Sequence, residues 1–268
     1  MIFAKKSLGQ NFLKDKSALD AIIEAGKISN EDIILEIGPG EGALTSLLLA
    51  KAGKVIAVEK DDRLIPILKE KFSKEIGSGK LELIHEDILN TQIKNLNLEK
   101  GEYKIIANIP YYITGELTRI FLESDFYPNT IVFLVQKEVA ERIIDEKGSI
   151  LSVSIKAYGT PEYIKTVKAG SFVPAPNVDS AILAIYDISK KQFETAQITE
   201  KDFFTVVKTG FAHKRKILSS NLKELFDPDK IETTWTELNI DKNERAEQIT
   251  IEKWFEITKK LICGNITV

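Results

Sequence analysis

The sequence predicts an α/β protein: a doubly wound, mostly parallel sheet of seven strands followed by a smaller C-terminal helical domain. Three observations carry this expectation. Short β-rich runs alternate with helix-periodic segments through the first two thirds of the chain, the pattern of strands joined by crossover helices. A glycine-rich turn, "GPGEG", follows the first of those runs. From about Thr199 the strand signal stops and amphipathic helical patterns replace it.

In chain order, "DIILEI" (32–37), "KVIAVE" (54–59), "LELIH" (81–85), "YKIIAN" (103–108) and "TIVFLVQ" (130–136) are short runs rich in β-branched residues and are expected strands. Between them "GALTSLLLAKAG", "DRLIPILKEKF" and "TGELTRIFLES" have the helical period. A helix around "LSVSIKAYG" precedes "EYIKTVKA" and "SAILAIYD", which complete the seven strands. "ISKKQFETAQ" (188–197) is the expected linker and divides a main domain, 1–190, from a helical one, 191–268. In the latter, "KDFFTVVKTGFAHKRKILSSNLKELF" and "TIEKWFEITKKLI" are expected amphipathic helices with polar connections.

At 268 residues and 30.1 kDa the chain needs no covalent staples for its core. One cysteine, Cys263, excludes an internal disulfide, and with only His85 and His213 beside it no convincing zinc site can be assembled, so a metal-free, cytoplasmic protein is expected. No apolar run reaches the roughly 18 residues of a membrane span. The start, "MIFAKKSLGQ", lacks the apolar core of a signal peptide. A net charge of −3 argues against a protein that grips nucleic acid indiscriminately, because such binding rests on many phosphate contacts. Any RNA contact is therefore local. Lys5, Lys6, Lys14 and Lys16 near the start, and Lys214, Arg215 and Lys216 in "HKRK", are the two basic clusters available, and a solvated surface explains either equally simply.

Glycines after a first strand allow a tight turn and close approach of backbone to a nucleotide. Here Gly38, Gly40 and Gly42 form G-x-G-x-G rather than the dinucleotide pattern G-x-G-x-x-G, and Glu41 would repel a pyrophosphate at the following helix N-terminus. A cationic adenosine ligand without phosphate suits the stretch better, and S-adenosylmethionine is one; a purely structural turn is the alternative. Glu59 ends the next strand, where a carboxylate can accept both ribose hydroxyls. Asp87, in "HEDIL", is placed to take an adenine amino group or simply to cap a helix.

"NIPYY" is the most specific element. An aromatic amine is a poor nucleophile because its lone pair is delocalised, and the pair is localised when both N–H hydrogens are accepted, one by the Asn108 side chain and one by a backbone carbonyl such as that of Ile109. Pro110 fixes the turn, and Tyr111 can stack on a base swung out of its helix.

Taken together, "LGQNFL", "EIGPGEG", "NIPYYIT", "LVQKEVAERI", "FVPAPNVDS" and "FAHKRKILSSNL", with "RAEQIT" near the end, resemble the KsgA family of small-subunit ribosomal RNA adenine dimethyltransferases in order and spacing, nearly end to end. The resemblance implies a Rossmann-like methyltransferase fold and a cofactor site lined by Asn11, Leu13, Gly38, Glu59, Asp87 and Asn108. It implies that Asn108 to Tyr111 hold the target adenine, with Phe172 on its other face; from the residues alone Phe172 is an aromatic in a rigid loop. It also implies a monomer that places two methyls on each of two adjacent adenosines, in a hairpin near the 3′ end of 16S RNA within an immature 30S particle. The chain departs from the family's usual pattern at Ile109, at Tyr112, where bacterial members often have Asn, and at Ile150, which stands where an arginine is common.

Three other readings remain open at this level. A related branch methylates large-subunit RNA, although "HKRKILSSNL" and the C-terminal signature resemble the small-subunit branch. Other relatives use the fold as a binding or assembly factor. An NAD-dependent oxidoreductase disagrees with the glycine spacing.

Overall fold

The computed structural model describes Lys5 and residues 8–262, so Lys6 and Cys263 lie outside the described residues. The chain divides into two compact units, Met1–Glu141 with Thr160–Ile188, and Arg142–Gly159 with Ser189–Val268.

The first unit is built on a seven-stranded sheet. A two-residue strand, β1 (Phe12–Leu13), precedes α1 (Lys16–Ala25), whose N-terminus is capped by Asp15 accepting from the Ala18 N–H. Then follow β2 (Ile33–Ile37), α2 (Ala43–Lys51), β3 (Lys54–Glu59), α3 (Ile65–Lys71), α4 (Ser73–Gly77), β4 (Leu81–His85), β5 (Tyr103–Ala107), α5 (Thr114–Glu123), β6 (Thr130–Gln136) and α6 (Lys137–Ile144). After α7 (Ile150–Tyr158), β7 (Thr160–Val167), the short β8 (Phe172–Val173) and β9 (Ser180–Tyr186) complete the unit. The sheet order is β4-β3-β2-β5-β6-β9-β7, and only β9 runs against its neighbours. The central strands are apolar almost throughout because helices cover both faces of a parallel sheet. On the edge strand β7 the pattern is different: Pro161 and a bulge between Tyr163 and Lys165 suit a position with one unpaired side.

The glycine turn and the loop after β5 both sit at strand C-termini, and the order reverses between β2 and β5. Ligands of doubly wound sheets bind in the crevice at that switch point. The core beneath it includes Leu19, Ile22, Ile34, Leu48, Ile106 and Ile182, all essentially excluded from solvent.

The second unit is helical: α7, α8 (Lys191–Ala196), α9 (Glu200–Gly210), α10 (Leu218–Leu222), α11 (Pro228–Glu237) and α12 (Ile251–Ile262). Its core is aromatic. The rings of Tyr158, Phe193, Phe203, Phe204 and Phe255 lie with neighbouring centroids 4.5–6.3 Å apart, distances at which edge-to-face and offset pairs stabilise a core.

Three boundaries differ from the sequence expectation. Residues 142–159, counted with 1–190, belong to the second unit, because Val153, Ile155 and Tyr158 are buried and Tyr158 joins the aromatic cluster. The linker contains a helix, α8, held by buried Phe193. The long amphipathic run 201–226 is broken into α9 and α10 by a turn at 211–217. Among the described residues, no helix is long and apolar enough to cross a membrane and no His, Cys, Asp and Glu cluster has metal-ligand geometry.

Candidate active site

Each glycine of the turn has its own reason to be there. Gly38, Gly40 and Gly42 have φ of +66°, +59° and +75°, which side chains other than glycine's rarely tolerate. A Cβ on Gly38 would meet nothing within 4 Å, so its backbone faces open space; one on Gly42 would lie 2.5 Å from the Phe72 ring. Gly38 thus leaves room for a ligand, whereas Gly42 lets α2 pack against α3. The Glu59 carboxylate holds the turn, accepting from the Gly40 N–H at 3.1 Å and from the Asp61 N–H at 2.8 Å. It is almost fully buried, and burial raises its pKa above the usual carboxylate range.

Glu36 lies in the middle of β2 among apolar neighbours and is 1% exposed. Among the described residues its Oε2 has no well-formed hydrogen bond, and the Thr45 hydroxyl beside it, also without one, is near enough only to ease its charge. Burial first, eased by Thr45 and worsened by the nearby Glu59, pushes this carboxyl up to about 8. Glu41, by contrast, pairs with Lys14 at the surface, so its charge is partly neutralised and bears less on phosphate rejection than its place in the sequence suggests.

Residues 8–14 form one wall of a cavity that Glu36, Gly38, Gly40, Glu59, Asp87 and Asn108 also line. Gln10 ties this wall to the end of β3: its amide donates to Asp61 Oδ2 at 2.8 Å, and the Arg63 guanidinium, donating to both Asp61 oxygens, holds that acid well below the usual range. On the other side Phe12 and Leu13 pair with Val173 and Phe172. Asn11 and Leu13 both line the cavity.

Asn108 follows β5 and donates its side-chain amide to the Asn11 carbonyl at 3.1 Å. With the nitrogen anchored, the amide oxygen is the free end. Ile109 is buried, and Pro110 and Tyr111 carry the chain into a single 3₁₀ turn, all three lining the cavity. The Tyr111 hydroxyl shares a 2.6 Å hydrogen bond with Ser180 Oγ, fixing the ring, and burial raises its pKa. Asp87 pairs with Lys60 at 2.6 Å and also accepts from the Leu89 N–H, so it serves its own turn as well as lining the cavity.

Phe172, which the family resemblance puts against the target base, lies in the core in this structure. It is 3% exposed, belongs to the apolar core and does not line the cavity. It packs opposite Leu13 in the β1–β8 pair.

Of the basic residues, Lys5 is exposed, with its backbone N–H on the Gln10 side chain. Lys214, Arg215 and Lys216 are exposed in the turn between α9 and α10. Buried Asn221 clamps that turn by donating to the carbonyls of Gly210 and His213 at 2.6 and 3.2 Å, a role invisible in the sequence.

The family model described as "Ribosomal RNA adenine dimethylase" matches residues 2–262. The chain belongs to this family. As a ribosomal RNA adenine dimethylase it is a methyltransferase that draws on S-adenosylmethionine. It is 40% identical over 255 residues to ribosomal RNA small subunit methyltransferase A of Dehalococcoides mccartyi, covering 94% of this chain and 86% of that one. Its identity to the protein of the same name in Fusobacterium nucleatum is also 40%, over 260 residues, with 95% and 96% covered. Among solved structures, it resembles a dimethyladenosine transferase from Plasmodium falciparum (TM-score 0.77, 27% identity, 92% and 95% covered) and the 23S rRNA methyltransferase ErmE (TM-score 0.76, 25% identity, 94% and 99% covered).

The dimethylase's cavity suits its cofactor chemically. A sulfonium and an ammonium need acids and no phosphate cradle, and Glu36 and Glu59 supply two buried carboxyls, one with an oxygen left unpaired. Bare backbone at Gly38 gives the space.

Proposed function

We propose that this dimethylase acts on the small subunit, methylating the N6 amines of two adjacent adenosines in a hairpin near the 3′ end of 16S RNA, as a monomer in the cytoplasm, on an immature 30S particle. The single observation that carries the site is the Asn108 amide, anchored through its nitrogen on the Asn11 carbonyl and lining a cavity that acids also line. Identity of 40% to small-subunit methyltransferases, against 25% to a 23S enzyme, favours the small-subunit branch.

In this reading Asn108 Oδ1 and the Ile109 carbonyl accept the two N–H hydrogens of the amine, Pro110 fixes that carbonyl, and Tyr111 stacks on the extruded base. Glu59 takes the ribose hydroxyls and Asp87 the adenine amine of the cofactor, with Asn11, Leu13, Gly38 and Gly40 around it. When bound, S-adenosylmethionine supplies an electrophilic methyl group. The chain's part is to localise a lone pair, orient the base and exclude water; no side chain has to remove a proton first.

The cofactor half is tested at Glu59. Glu59→Ala removes a charged acceptor of two hydrogen bonds and is expected to weaken S-adenosylmethionine binding by about a hundredfold in calorimetry. Because Glu59 also supports the Gly40 turn, Glu59→Gln, which keeps one acceptor, is measured beside it and should lose less. Wild-type affinity in a folded Glu59→Ala protein removes Glu59 from the site.

For the RNA half we assign phosphate contacts to Lys5, Lys6, Lys214, Arg215 and Lys216. The three contacts of Lys214, Arg215 and Lys216 by themselves give a log–log salt slope of only about −2 to −3, too shallow to capture an arbitrary RNA, so shape recognition of a folded particle supplies the remainder. Changing Lys214, Arg215 and Lys216 together to Glu should weaken binding to immature subunits and flatten the salt dependence while leaving cofactor affinity unchanged. Equal methylation of naked RNA and particle, or wild-type particle binding by the triple variant, overturns this assignment.

A further inference from the structure

Tyr112 also lines the cavity. It follows Tyr111 in the same 3₁₀ turn, where successive side chains project about 120° apart. Tyr111 turns inward, its hydroxyl held by Ser180. Tyr112 turns outward: it is 68% exposed and stands at the mouth of the same cavity.

The outward ring is nevertheless braced. A Cβ on Gly9 would lie 3.1 Å from Tyr112 Cε1 and 3.2 Å from Pro110 Cβ, so the ring rests on bare glycine backbone, and Gly9, with φ of +61°, is held in the conformation that permits this. The backbone beneath is fixed by Pro110, and the Ile113 N–H closes the turn on the Pro110 carbonyl. Among the described residues no second aromatic ring packs on Tyr112 and no cation lies over its face; the Lys60 ammonium, paired with Asp87, is its charged neighbour. One part of the ring is thus supported by the protein while most of its surface is open to water at the entrance.

A large aromatic side chain with this much exposed surface gains little from the fold. A flat π surface held rigid at a cavity that receives an extruded base suits a neighbouring base, because stacking tolerates any nucleotide and the rotamer is already restricted before binding. Cover for the cofactor is the other use of a rim aromatic, but such a residue would turn its ring inward, as Tyr111 does. We propose that Tyr112 is a positioning residue on which the RNA base next to the target adenine stacks while the target occupies the cavity. This rests on the reading that the enzyme methylates small-subunit RNA.

The experiment uses the full chain with immature small subunits that lack the modification. Tyr112→Ala is expected to raise the KM for the particle by about tenfold, within the range that loss of one stacked base gives, while kcat and the affinity for S-adenosylmethionine stay within twofold. Tyr112→Phe keeps the ring and should restore the wild-type KM, which separates stacking from a role of the hydroxyl. With 2-aminopurine beside the target adenosine in a hairpin RNA at low salt, the wild type and Tyr112→Phe should quench its fluorescence on binding, and Tyr112→Ala should not. An unchanged KM and equal quenching in Tyr112→Ala would overturn the proposal, and so would a loss confined to cofactor affinity, which would make Tyr112 a cofactor lid. Failure of the wild type itself to methylate the particle would strike the underlying reading instead.

Discussion

Asn108→Ala is expected to lower methyl transfer by roughly 10²–10³, the usual scale for deleting one preorganised polar group at a reacting centre. The argument is geometric. The Asn108 side chain is held by its own nitrogen on the Asn11 carbonyl, 3.1 Å away, so its oxygen is oriented before any substrate arrives. Alanine removes the acceptor and leaves the Asn11 carbonyl one donor short. Asn108→Asp keeps an acceptor but replaces the donor with a second oxygen facing that carbonyl, so it should fail for the other half of the same reason. Single-turnover methylation at saturating cofactor separates chemistry from binding. Wild-type rates for Asn108→Ala under those conditions would mean that the amine is activated elsewhere.

The strands were legible because sequence and burial coincide in them. "KVIAVE" and "TIVFLVQ" are apolar on both faces, as central strands of a covered sheet must be, and β3 and β6 span those residues. Where the sequence misled, the missing information was three-dimensional. Residues 150–158 form the expected helix, but periodicity says nothing about which core buries it, and Tyr158 chose the aromatic one. The basic run at 214–216 looked like the solvated face of one long helix; Asn221, taking two carbonyls from the preceding turn, ends that helix instead. At the site, Gly38, Glu59, Asp87 and Asn108 meet at one cavity because all four lie at or just past strand C-termini, a relation that sequence order and topology together convey. Phe172 packs into the core, and a Phe two residues before a proline gives no clue in the sequence to the side on which its ring lies. Gln10 and Asp61 are not legible in the sequence, because partners 51 residues apart leave no spacing signal. The sequence does carry one further signal, an acid, Glu36, inside an otherwise apolar strand.

That acid should make the stability of the protein without cofactor fall as pH rises. In the folded state Glu36 is pushed from 4.5 to about 8, chiefly by burial. Below the unfolded value the group is neutral in both states and contributes no pH dependence. Between the two values the unfolded chain has lost the proton and the folded chain keeps it, so folding takes up a proton and stability drops by about 1.4 kcal/mol per pH unit. Above the folded value both states are ionised and the loss levels off. Glu59, itself raised by burial, and Lys71, lowered by it, are the charged neighbours. Their contributions largely cancel when wild type is compared with Glu36→Gln, a neutral side chain of the same shape. The expected result is near-equal stability at pH 5 and an advantage for Glu36→Gln that grows to about 4 kcal/mol by pH 8, followed by urea unfolding of the cofactor-free proteins. A cationic cofactor should reverse the preference, since a cation favours the ionised carboxyl: wild type then releases a proton on binding, visible in calorimetry as a dependence on buffer ionisation enthalpy, and the variant releases less. A stability difference that does not change with pH would show that Glu36 is ionised throughout, with a partner that the folded cavity does not reveal.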